Sequence, residues 1–180
     1  MLSITIPGSR DLYDEETSRF IIVKGQTVQL EHSLISISKW ESKWKKAFLS
    51  RASRTPEETV DYIRCMTTTP GVDPNLYLCL TRENIAQIQA YIDDPMSATV
   101  FRGEDKPKGT PRPRTSEQIY GAMVVLGIPF ECQKWHLNRL LNLIHECELL
   151  NSGDKMSRKD SAKYMRGINA ARRAKHHTKG

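Results

Sequence analysis

Cys132 and His136 stand four apart in the 180-residue chain. On one helical face that spacing would suit a metal ion or a Cys–His nucleophile. His145 and Cys147 follow, but residues two apart point to different sides of a helix. The chain holds neither a Cys-x-x-Cys nor a His-x-x-x-His pair, so the metal reading has no second half. Adjacent carboxylates, the raw material of acid–base chemistry, occur at Asp14-Glu15-Glu16, Glu57-Glu58 and Asp93-Asp94. The last two fall where helix ends are expected, and the first falls in an expected loop. No Gly-x-Ser-x-Gly elbow, Walker phosphate loop or Gly-x-Gly-x-x-Gly is present. The expectation is a chain with no catalytic residues, no metal and no cofactor, which works by binding another macromolecule.

Two other groups of residues have the chemistry to bind. The first is cationic. Residues 151–180 carry nine Lys/Arg against Asp154 and Asp160, a net of +7, which leaves −1 of the total +6 for the first 150 residues. Arg172, Arg173 and Lys175 are the densest part of that tail. Such a segment attracts an acidic partner over long range, and phosphate affinity grows with each cation. Only Tyr164 interleaves it with an aromatic ring, and no zinc-finger, RNA-recognition or homeodomain signature accompanies it. Nucleic acid is therefore the second choice of partner. The other group is aromatic: Trp40, Trp44 and Phe48 recur every four residues. A stripe of this kind is core packing, or, where exposed, the anchor of a partner surface. Trp135 carries the same two readings.

The elements that must position these residues come in two styles. Residues 2–6, LSITI, alternate at period two and stop at Pro7-Gly8. Residues 19–24 and 27–32 are strand-like runs on either side of Gly25-Gln26, which suggests a hairpin turning there. From residue 38 the period becomes helical. Ser38 with Glu41 fits a capping box opening a helix to about Ser50. Thr55-Pro56-Glu57-Glu58 opens a second. Val60 and Ile63 face inward from it, with Tyr62 and Met66 as further candidates. Asp73-Pro74 opens either a helical turn or a short strand through Leu80. Thr81 caps a third helix bearing Ile85, Ile88 and Ile92, and SATVF (97–101) is a weak strand candidate. Residues 102–114 hold three prolines and two glycines and read as an exposed loop. Thr115 or Ser116 opens a helix to Leu126. A long helix over 131–150 then carries Leu137, Leu140, Leu141 and Ile144, and the two read as an αα-hairpin.

The expected class is α+β and predominantly helical. A small N-terminal antiparallel β-hairpin or sheet (1–37) precedes a multi-helix domain with αα-hairpins (38–150), and a basic C-terminal helix and tail (151–180) follows. Four cysteines, Cys65, Cys79, Cys132 and Cys147, are too few for a disulfide scaffold at this length. No apolar run reaches the ~18 residues of a membrane span, and the first residues lack the basic leader of a signal peptide. The expectation is a soluble protein of a reducing compartment.

Three stretches together carry a resemblance: KWESKWKKAFL (39–49) with RTPEETVDYIRCM (54–66), IPFECQKWHLNRLLNLI (128–144), and MSRKDSAKYMRGINAARRAKHHTKG (156–180). In this order they resemble small proteins encoded by tailed bacteriophages and described as tail assembly chaperones. The resemblance covers about residues 38–180, and 129–144 and the NAARRAK ending are its most specific parts. It implies binding to the tape measure protein, a very long helical chain, which is kept soluble until tail tube subunits polymerise around it. It implies action in the host cell cytoplasm and absence from the mature virion. The tail tube protein is a possible second partner, self-association another, and no membrane is involved. No catalytic motif comes with the family. Partner-binding would then fall to Trp40, Trp44, Trp135, Arg172, Arg173 and Lys175.

Overall fold

The computed structural model describes residues 1–14, 18–50, 52–98 and 115–152. Four strands open the chain: β1 (Leu2–Ile6), β2 (Ser9–Asp14), β3 (Arg19–Val23) and β4 (Gln26–Leu30). Helices follow, so the class is α+β and mostly helical. β1 pairs antiparallel with β4, and β2 with β3. The hairpin expected about Gly25 does not form. The strands on either side of Gly25 each take the partner that precedes them, and the two-residue breaks Pro7-Gly8 and Lys24-Gly25 face each other across the ribbon.

Glycine is required at that crossing. A Cβ on Gly8 would lie 2.4 Å from the Val23 carbonyl oxygen and 2.6 Å from the Gly25 nitrogen. Both are backbone atoms, which cannot swing aside as a side-chain tip can. Gly8→Ala is therefore expected to destabilise the protein by about 1–3 kcal/mol. The urea midpoint measures it, and an unchanged midpoint would show that the two breaks can separate freely.

Strand pleating divides the β1/β4 ribbon cleanly. Ile4, Ile6, Val28 and Leu30 are buried on one face. On the other, the Thr5 and Thr27 hydroxyls share a 2.8 Å hydrogen bond, and the Gln29 amide donates to Ser3 Oγ at 3.0 Å.

Helix α1 (Leu34–Trp44) begins five residues earlier than expected, capped at Ser33 and not at Ser38. Its capping box is Ser33 with Ser36, whose hydroxyls accept each other's backbone N–H. The earlier start brings Leu34 and Ile37 into the core. Lys45, at φ 54°, adopts the left-handed conformation and ends the helix well short of Ser50. Phe48 consequently lies past the helix, not on its face, yet it is buried, with its ring centroid 5.3 Å from Trp40 and 4.1 Å from Tyr62.

Helix α2 (Pro56–Met66) starts as expected, with Thr55 and Glu58 as its capping box and Pro56 in the first turn. Tyr62, Ile63 and Met66 are buried and Val60 is half-buried. The alternative left open after Asp73 resolves to a 3₁₀ turn, Pro74–Cys79, which buries Leu76 and Tyr77. Thr81 and Asn84 cap α3 (Arg82–Asp93). Asn84, Ile88 and Tyr91 are its buried residues, whereas Ile85 is exposed. Thr115 and Gln118 cap α4 (Ser116–Val125), and Gly127 follows at φ 66°.

The single helix expected over 131–150 is two elements. A 3₁₀ turn covers Phe130–Lys134, and α5 runs Leu137–Ser152. Between them His136 forms an isolated antiparallel bridge with Ser33, and the Leu137 N–H donates to the His32 carbonyl at 2.7 Å. Backbone engaged that way is extended and cannot continue a helix. The weak strand candidate at 97–101 falls largely outside the described residues, and the 102–114 loop falls wholly outside them.

α2 packs on α1, as do α4 and the 130–134 turn, while α3 and the 74–79 turn pack on β1. The chain divides into two compact units, Met1–Ile144 and His145–Gly180. The β-ribbon and the helices through the first half of α5 belong to the first. In the second, His145–Ser152 is described as helix, with His145 Nδ1 4.0 Å from Glu148 Oε2. Among the described residues no helix is long and apolar enough to cross a membrane.

Candidate binding surfaces

The structure separates the three tryptophans. Trp40 is 2% exposed, and its indole N–H donates to the Glu58 carbonyl at 2.9 Å. A partner must reach its anchor, so Trp40 belongs to the core and not to a contact surface. Trp44 is half-buried, with its indole N–H on Asp61 Oδ2 at 2.9 Å and the Lys43 ammonium 5.3 Å from its ring. Lys43 also pairs with Asp61 at 2.6 Å. Burial alone would raise the Asp61 pKa, but the Lys43 and Trp44 bonds outweigh it and hold the carboxyl below its usual range. Trp135 is half-buried beneath the Arg139 guanidinium, 4.2 Å from the ring. Arg172, Arg173 and Lys175 lie outside the described residues.

Cys132 and His136 do not share a helix, since the first sits in the 3₁₀ turn and the second in the bridge beyond it. Among the described residues no group of three or more His, Cys, Asp or Glu is placed to hold a metal ion. The His136 ring is committed to structure. Its Nε2 donates to the Tyr91 carbonyl at 2.9 Å, which leaves Nδ1 to accept the Asn138 N–H at 3.3 Å.

Two surfaces emerge that residue types alone did not single out. One is the outer arm of the ribbon. Tyr13 and Phe20 are cross-strand partners in β2 and β3, with their rings in edge contact at 5.3 Å. Ile22, two residues along β3, shares their face. Tyr13 is 54% exposed and Phe20 and Ile22 are each 68% exposed. The signal was present in RFIIVK, where apolar residues occupy both strand faces although only one can be buried.

The other surface is a cavity of about 370 Å³ between α2, α3, the residues Phe48, Leu49 and Arg54, and the start of α5. Ile63, Ile85, Ile88, Ile92 and Leu137 give it apolar walls. Arg54 borders it: the guanidinium lies 3.8 Å over the Phe48 ring and donates to the Phe48 carbonyl at 2.5 Å. Burial lowers the Arg54 pKa somewhat, against the opposing pull of Tyr62 and Glu58, and an arginine so placed keeps its charge. His32 borders the cavity too. Its Nδ1 lies 2.5 Å from the Tyr62 hydroxyl. Burial first, then His136 and Arg54, pulls the His32 pKa down to about 3 against a weaker pull from Asp93. Its imidazole is neutral.

No family model, curated protein or solved structure matches this chain.

Proposed function

We propose that this protein is a tail assembly chaperone of a tailed bacteriophage, a binder and not an enzyme, which holds the tape measure protein soluble until tail tube subunits assemble around it. The observation that carries a binding role is the outer arm, where Tyr13, Phe20 and Ile22 present one apolar face to solvent. Large exposed apolar side chains gathered on one face mark an interaction site more often than single ones do. A long helical client exposes amphipathic stripes before assembly, and an apolar ribbon face can cover such a stripe as aromatic anchors do elsewhere. Trp44 and Trp135, each half-buried and each with a cation against its ring, are secondary contacts. The choice of client comes from the family resemblance of residues 38–180.

Co-expression tests both parts. The tape measure protein of the same phage should move from the pellet to the soluble fraction when this chain is present. Phe20→Ser with Ile22→Ser should abolish that rescue. Because both side chains are exposed, the melting temperature should stay within about 2 °C of wild type. A client equally insoluble with and without this chain would end the proposal. Rescue that survives the double substitution would move the contact away from the arm.

A second reading rests on the +7 of residues 151–180. In that case the chain binds nucleic acid, with affinity that falls steeply with salt and is lost when residues 155–180 are removed. The absence of any gel shift on duplex DNA at low salt would exclude it.

A further inference from the structure

We propose that the outer edge of β3 is a self-association surface: it pairs antiparallel with β3 of a second copy of this chain, about a twofold axis through Ile21, and joins the two arms into one four-stranded sheet. The inference does not rest on the tape measure proposal, and its test contains no client.

β3 and then β4 form one outer edge of the ribbon, and the fold treats the two halves differently. Along β4 the edge is covered. The Thr68 N–H donates to the Gln29 carbonyl at 2.9 Å, the Gln29 N–H donates to Thr69 Oγ at 2.8 Å, and Leu30 bridges to Thr67. Along β3 there is no such cover. Among the described residues β2 is the only strand paired with it, and no backbone group of Phe20, Ile21 or Ile22 is bonded outside the ribbon.

A bare edge is a template for another strand unless a charge, a proline or a bulge blunts it. Phe20-Ile21-Ile22-Val23 contains neither charge nor proline. The register shift of this ribbon lies between Ser9 and Leu12, so the extra residue is on β2 and not on β3. A ribbon of two strands is also marginal in water and is stabilised by further strands.

The order of residues along β3 selects a second copy as the occupant. Residues directly opposite each other in a sheet share a face. A twofold pair of β3 strands must therefore be centred on a residue. With Ile21 on the axis, Phe20 of each copy lies opposite Ile22 of the other, and Ile21 meets itself on the other face. Arg19 then lies opposite Val23 and Lys24 opposite Ser18, so no like charges meet. Centring the pair on Phe20 would set Ile22 against Ser18, and centring it on Ile22 would set Phe20 against Lys24. Phe20 and Ile22, each 68% exposed in one copy, pack across the new junction. The axis is perpendicular to the sheet, so both copies carry Tyr13, Phe20 and Ile22 on the same side, and one apolar face runs over four strands.

Residues 18–24 of each copy make the contact, which places it below the ~1,200 Å² of a stable interface. The dimer is reversible, with a Kd of about 10–100 µM. Sedimentation equilibrium of the full chain in about 0.15 M salt tests it. The mass should rise from 20.6 kDa toward twice that value as the concentration goes from about 1 to 500 µM. Ile21→Lys and Ile21→Glu should each weaken association by about tenfold or more, because each sets like charges together on the axis. An equimolar mixture of the two should associate again, since position 21 faces itself. Ile21 is half-buried, so a second variant, Phe20→Lys with Ile22→Lys, changes only exposed side chains. It should stay monomeric with a melting temperature within about 2 °C of wild type. Ile21→Lys leaves Phe20 and Ile22 in place, so failure here and failure of the client rescue are read separately. A wild-type chain still at 20.6 kDa at about 500 µM would overturn the proposal. So would a dimer that survives Phe20→Lys with Ile22→Lys, or folded Ile21 variants that stay monomeric when mixed.

Discussion

Replacing Glu41 by alanine should remove about 4 kcal/mol of stability, a large part of the margin a domain of this size has. Glu41 is 7% exposed, and both carboxylate oxygens are used. Oε1 accepts the Phe48 N–H and Oε2 accepts the Ser116 N–H, each at 2.7 Å. Ser116 is the first residue of α4 and is fully buried. Its N–H is one of those that a helix start leaves without an intrahelical partner. Glu41 thus caps α4 from another helix, at the end where a negative charge is stabilised by the helix dipole. The same side chain ties down the segment that seats Phe48 between Trp40 and Tyr62. Alanine would leave two buried donors unpaired, and each costs about 1–3 kcal/mol. Glu41→Gln keeps one acceptor oxygen and should lose less than the alanine variant. Urea denaturation ranks the three proteins, and native-state hydrogen exchange should show the Ser116 and Phe48 amides losing protection first. An alanine variant within about 1 kcal/mol of wild type would show that water replaces the carboxylate.

The second large effect is on acid. His32 has a pKa of about 3 in the folded chain, chiefly through burial, against an ordinary value of 6.5. Between those values the unfolded chain binds a proton that the folded chain refuses. Stability therefore falls as the pH drops through this window, by about 1.4 kcal/mol per pH unit, and His32 makes no contribution to the slope above about pH 7. At pH 5 the loss from this residue alone is about 2 kcal/mol. Carboxylates with lowered pKa, such as Asp61 beside Lys43 and Trp44, add losses at lower pH still. The His32→Gln variant isolates the imidazole because it leaves those groups in place. Its unfolding free energy should depend on pH between 6.5 and 4.5 with a slope smaller by nearly one proton. Identical slopes for the two proteins would mean that His32 takes up its proton in the folded state.

Much of the local architecture was legible in the residues themselves. Thr55, Thr81 and Thr115 each cap the helix expected of them, because a hydroxyl reaches the N–H three residues on and needs no distant partner. The alternation of LSITI likewise fixes which of its side chains face inward. The errors came where two local signals competed. Ser38 with Glu41 is as good a capping pair on paper as Ser33 with Ser36. In the fold Glu41 is drawn to Ser116, 75 positions along the chain. Trp40, Trp44 and Phe48 keep a helical spacing, but the left-handed Lys45 breaks the helix between the last two. Cys132 and His136 keep it too, but the bridge of His136 to Ser33 breaks that helix as well.

The absence of the familiar catalytic motifs, the placing of charge at one end and the mixed class with helices dominant were properties of the sequence alone. They depend on composition and on neighbours within a turn or a strand. Tertiary structure alone decided which strands pair across the Gly8–Gly25 crossing, which tryptophan is buried, and that Tyr13, Phe20 and Ile22 face solvent. It alone brought His32 and Arg54 to one cavity. The physical reason is the same in each case. A cap or an alternating strand closes its hydrogen bonds within a few residues, whereas exposure and convergence depend on what packs against a residue from tens of positions away.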